Sequence, residues 1–128
     1  MKSTLGKALV GLLALDVVLG FLTTPAGGMD PRPPTGASGL TWTCVGIYMV
    51  GLLINLGAIV QLVRGKAIAP TLALIGPVLF YGVIIADRSD MFHAEVAPAA
   101  IRTLEWSVAG LSAVVIAVAA LVRKQTAT

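Results

Sequence analysis

Apolar residues fall in four long blocks along this chain, and charged residues lie almost wholly in the gaps between them. The blocks cover residues 8–24, 40–63, 67–86 and 98–122. Each has about the 17 to 25 residues that a helix, rising about 1.5 Å per residue, needs to cross the hydrocarbon of a bilayer. The pattern therefore predicts an all-α membrane protein, a four-helix transmembrane bundle.

In the first block Leu9, Val10, Leu12, Leu13, Leu15, Val17, Val18, Leu19, Phe21 and Leu22 surround a single acid, Asp16. At roughly −0.3 to −0.6 kcal/mol for each hydrophobe and about +3 kcal/mol for a central Asp, insertion is favoured only narrowly. Such a span is expected to seek protein company. Lys2 and Lys7 ahead of the block, with Thr24-Pro25-Ala26 behind it, loosely resemble a secretory signal. The acid inside the apolar region and the poor small-x-small site favour a retained span.

Residues 25–39 hold Pro25, Pro31, Pro33 and Pro34 together with Gly27, Gly28, Gly36 and Gly39, a composition that suits a flexible loop. Arg64-Gly65-Lys66 is short enough to force a tight turn, making spans two and three antiparallel neighbours. Span three carries Pro70 in its first turn, where a missing N–H costs little. Its second proline, Pro77, lies at the middle, where it is expected to kink the helix and to free the carbonyl of Ala73. Pro98 suits the first position of span four, and Arg123 and Lys124 are expected to stop it.

Charge then orients the bundle. Lys2, Lys7, Arg64, Lys66, Arg123 and Lys124 all fall on one side, with no acid among them. The other side mixes Arg32, Arg88 and Arg102 with Asp30, Asp87, Asp90, Glu95 and Glu105. The bias towards cytoplasmic lysine and arginine predicts that both termini are cytoplasmic, in a plasma membrane of bacterial type. Trp42, Trp106, Phe92, Phe21, Phe80 and Tyr81 fall in the outward halves or ends of their spans, as an interfacial aromatic belt would.

Composition agrees with this class: 57% of the residues are hydrophobic and 12% charged. The net charge of +3 does not point to nucleic acid, since the basic residues sit at span ends rather than in a patch interleaved with aromatics. One cysteine, Cys44, allows neither an internal disulfide nor a multi-cysteine metal site.

Candidate chemistry follows from depth. Nine residues inward from Lys7 is Asp16, and nine inward from Arg64 along span two is Asn55, both roughly 13 Å deep and near the midplane. Pro77 and Ser112 lie at the same depth on spans three and four, so a carboxyl, a carboxamide, an opened backbone and a hydroxyl are expected to converge. An acid inside a membrane marks a functional site by default. One reading is a proton- or cation-coupled site in which substrate binding is linked to protonation of Asp16. The other is interhelical hydrogen bonding that fixes the register of the bundle.

Cys44, Tyr48, Gly51 and Asn55 recur at helical spacing and are expected to face protein. Ala109, Ala113 and Ala117 form a small-residue ridge on span four that could receive that stripe. The stretch from Asp87 to Glu105, an outward polar loop together with the start of span four, holds seven of the sixteen ionisable Lys, Arg, Asp, Glu and His residues, among them Asp87, Asp90, His93 and Glu95. With Met91 these offer oxygen, sulfur and imidazole donors, yet their spacing matches no metal-ligand pattern, and none is assigned. Arg102 and Glu105 are expected to pair with each other, or with Asp87, near the headgroups.

A single histidine, the lack of a phosphate-binding glycine loop and the lack of a nucleophile–base–acid set argue against an enzyme, and no cofactor is expected. The chain resembles the small multidrug transporters in length, span number and a carboxylate in span one. It departs from them in having Asp16 where they use Glu, in lacking their aromatic surroundings and in its long Pro/Gly loop, so no family is assigned. The sequence is best read as a non-enzymatic accessory or scaffold subunit working in a lipid bilayer with other membrane chains or as a homo-oligomer. The alternative is a small proton- or cation-coupled transporter or channel built on Asp16 and Asn55.

Overall fold

A computed structural model of the chain describes residues 4–23, 39–88 and 99–127. Four helices account for nearly all of them: α1 (Thr4–Thr23), α2 (Gly39–Val63), α3 (Ala69–Arg88) and α4 (Ala99–Ala127). All four are long and apolar enough to cross a membrane. The protein is thus a multi-pass, all-α integral membrane protein.

Two ends differ by more than two residues from the boundaries that the apolar blocks suggest. α1 begins four residues early and takes Lys7 into its first turns, and α4 runs past Arg123 and Lys124 to Ala127. Arg, Lys, Gln and Ala are good helix formers, so a basic pair marks where hydrocarbon ends without ending the helix. α3 continues through Pro77 as one helix, with that proline fully buried.

Each helix packs on its neighbours in sequence and α4 closes onto α1, while the backbones of α2 and α4 lie apart across the diagonal. The closest association is between α2 and α3. Their connection is a Schellman motif: the N–H of Gly65 donates to Leu62 O at 3.1 Å and that of Lys66 to Gln61 O at 3.0 Å. Gly65 has φ 70°, a left-handed value that a residue with a Cβ adopts only with strain.

The interior is layered. At the hairpin end, Leu9 and Leu13 of α1 pack with Ala58 and Leu62 of α2, Ala69 and Ala73 of α3, and Val115, Ala119 and Val122 of α4. At the other end Tyr48 and Leu52 pack with Phe80, Ile84, Val108 and Ala109. This pairing of early α1 with late α2, early α3 and late α4 makes the bundle up-down-up-down. It also brings the start of α1 and the end of α4 to the hairpin end. Burial of roughly 25 cal/mol per Å² of apolar surface cannot drive such packing inside lipid, so close fit and internal hydrogen bonds must hold the helices together. The exposed Leu15, Val18, Leu53, Val60 and Val63 present the apolar surface that a bilayer requires.

Trp42, Trp106, Tyr81 and Phe21 are exposed in the half of the bundle away from the hairpin, in keeping with an interfacial belt. Phe80 does not belong to it. Its ring is fully buried, because α3 turns Ala73, Gly76, Pro77, Phe80 and Ile84 inward as one stripe.

Candidate functional site

On every helix a polar residue or backbone break interrupts the apolar interior at the level between the two hydrophobic layers. On α1 this is Asp16, on α2 Asn55, on α3 Gly76–Pro77 and on α4 Ser112; Asp16, Asn55 and Ser112 each have 0% exposure. The structure divides the four between two helix seams. Across α1–α4, Ser112 Oγ lies 3.1 Å from both carboxyl oxygens of Asp16. A hydroxyl in this position donates to a carboxylate or accepts from the protonated acid, so the tie survives either state of Asp16.

Across α2–α3, Asn55 presses its carboxamide against the bare Cα of Gly76. A Cβ built on Gly76 would collide with Asn55 Oδ1, lie 2.7 Å from its Cγ and lie 3.1 Å from the backbone oxygen of Gly51. Only glycine fits there. Neither Oδ1 nor Nδ2 of Asn55 has a hydrogen-bond partner among the described residues. In a membrane bundle each such buried orphan is costly. Next to it, Pro77 has no N–H to offer the carbonyl of Ala73.

A second polar layer lies seven residues away on three helices. Thr23 is seven after Asp16, Tyr48 seven before Asn55 and Glu105 seven before Ser112, which places the layers about 10 Å apart along the axis. The hydroxyls of Thr23 and Tyr48 are 2.7 Å apart, and Thr23 Oγ1 also reaches Gly20 O at 2.7 Å. Glu105 is 4% exposed and within electrostatic range of the Tyr48 hydroxyl. Cys44 is buried one turn beyond Tyr48.

The expectation that Glu105 lies at the headgroups is therefore corrected, while the alternative pairing with Asp87 involves a side chain outside the described residues. Arg102 is exposed, whereas Glu105 belongs to the inward stripe Ile101, Glu105, Val108, Ser112, Val115. Its seven-residue spacing from Ser112 is the signal that would have found it. The small-residue ridge is corrected too: Ala109 is buried, but Ala113 and Ala117 face outward, and the α4 backbone lies diagonally across the bundle from α2. The stripe Cys44, Tyr48, Gly51, Asn55 is buried, facing α1 and α3 instead.

Asp90, His93 and Glu95 lie outside the described residues, as does most of the Pro/Gly loop, and the side chain of Asp87 does too. Among the described residues no group of three His, Cys, Asp or Glu side chains is placed to hold a metal ion. Comparison with protein-family models, with curated proteins and with solved structures finds no match in any of the three.

Proposed function

We propose that this protein is a non-enzymatic accessory or scaffold subunit of a membrane assembly, docking through the outer face of α4. The observation that carries this reading is the row of small residues Gly110, Ala113, Ala117 and Ala120, all exposed along α4 and bordered on the same side by the exposed Trp106, Val114 and Leu121. A Cβ added to Gly110 would meet nothing within 4 Å. In lipid, where apolar side chains gain nothing by leaving hydrocarbon, faces of this kind associate because they let another helix backbone approach closely. The occupant is a transmembrane helix of a partner chain or of a second copy.

Substituting leucine at Gly110 and Ala117 together tests this. The positions point away from the interior, so the solubilised bundle is expected to keep its thermal stability while its assembly falls to the mass of a single chain. An assembly of unchanged mass would contradict the docking face.

The basic residues at the hairpin end support a topology with that end, and both termini, in the cytoplasm of a cell with a bacterial-type plasma membrane. In a Cys44→Ser background, Ser89→Cys is expected to react with an impermeant thiol reagent in intact cells and Lys66→Cys to be protected. Labelling of Lys66→Cys from outside would invert the topology.

One observation favours a second reading. The unpartnered carboxamide of Asn55 in the same layer as Asp16 suits a proton- or cation-coupled transporter or channel, in which the midplane groups meet a passing ligand.

A further inference from the structure

The two polar layers are separated by one aromatic ring. Phe80 is fully buried between them, seated over Gly20 of α1 and Gly51 of α2. A Cβ on Gly20 would lie 2.5 Å from its Cε2, and one on Gly51 would lie 3.1 Å from its Cδ1. Gly20 stands between Asp16 and Thr23, Gly51 between Asn55 and Tyr48, and on α4 the buried Val108 and Ala109 stand between Ser112 and Glu105. The ring stacks on Tyr48 with centroids 4.3 Å apart and planes 14° apart. Two bare glycines thus make a slot that only this ring fills, at the level where the interior passes from Tyr48 and Glu105 to Asp16.

We propose that Phe80 is an apolar plug in a proton path, separating an outer polar layer of Thr23, Tyr48 and Glu105 from the midplane acid Asp16. The species carried is the proton, passed through water admitted when the ring swings out. Each hop moves one proton from a hydronium ion or a carboxyl to the next water or carboxylate, with no other bond changed. The groups facing the path are Asp16 and Thr23 from α1, Cys44 and Tyr48 from α2, and Glu105 and Ser112 from α4. Among the described side chains α3 contributes only apolar ones, Phe80, Val83 and Ile84. Arg102, exposed on α4, is turned away. An acid at each level with an aromatic plug between them is an arrangement that helix packing does not require, since leucine in all three places would seal the bundle better.

The inference rests on the second functional reading, and its test separates the plug from that reading. Purified chains are reconstituted in phosphatidylcholine vesicles holding a pH-sensitive dye, and proton entry is followed under a potassium–valinomycin potential. Every chain carries Leu9→Ser and Leu13→Ser, because the apolar layer at the hairpin end otherwise keeps Asp16 from that side of the membrane. This parent is expected to be tight, and Phe80→Ala in it to raise the proton flux at least tenfold. Adding Asp16→Asn or Glu105→Gln to Phe80→Ala is expected to return the flux to background. If Phe80→Ala does not fold, Gly20→Ala displaces the ring while keeping it, and the same increase is expected. A folded Phe80→Ala or Gly20→Ala chain that stays tight would overturn the plug. A leak that survives both acid substitutions would overturn the path, showing a hole that bypasses Asp16. A leak that Glu105→Gln stops but Asp16→Asn does not would overturn the coupling reading of Asp16 and the path with it.

Discussion

Replacing Gly76 by alanine is expected to destabilise the solubilised bundle by about 1 to 3 kcal/mol, the cost of forcing a methyl group into a filled interface. The methyl would occupy the place of the Asn55 carboxamide, with the Gly51 carbonyl closing the other side. The α2–α3 seam is the most extensive in the protein, so its separation weakens the whole bundle. Asn55→Ala in the same chain is expected to restore most of the loss, because it removes the group that the methyl strikes. Alone, Asn55→Ala is expected to match or exceed the natural chain in stability, since the carboxamide leaves no broken bond behind. Thermal unfolding of the two single variants and the double variant in one detergent measures the coupling. Additive effects would mean that Gly76 and Asn55 do not share the contact.

Ser112→Ala is expected to cost a similar amount, about 1 to 3 kcal/mol, by removing the hydroxyl that satisfies the buried Asp16 carboxyl. Asp16→Asn is the informative companion. Its carboxamide can still bond to Ser112, and the possible charge is gone, so stability is expected to be kept or raised. Under the scaffold reading its assembly is also unchanged. Under the transport reading the same stable protein would lose its cellular activity, because an amide cannot gain and lose a proton. Expression level, thermal stability and assembly mass measured together keep the outcomes apart; we expect the structural one.

Much of the fold was legible because span length and charge distribution are imposed by the bilayer, whatever the helices do to one another. The midplane residues were reachable by counting from Lys7 and Arg64, since helical rise converts sequence position into depth. Depth does not say which seam a side chain enters. Asp16 and Ser112 meet because α4 closes onto α1, and Asn55 faces Gly76 because that glycine lacks a side chain; neither fact follows from depth alone. The misplacement of Glu105 and Phe80 has one cause: charge near a span end and aromaticity in an outward half both suggest the interface, whereas the inward stripe of each helix claimed both residues. Ala113 and Ala117 turned outward for the complementary reason, that in an alanine-rich helix small-residue spacing alone does not fix a face.

Whether α4 carries a partner can be read by contact rather than by mass. A photo-crosslinking amino acid placed at Gly110 or Ala117, with Leu53 on the exposed side of α2 as the lipid-facing control, is irradiated in native membranes and the adducts sized. The scaffold account predicts a discrete protein adduct, a second copy or another membrane chain, from both α4 positions and lipid adducts alone from Leu53. Lipid adducts alone from all three positions would contradict it.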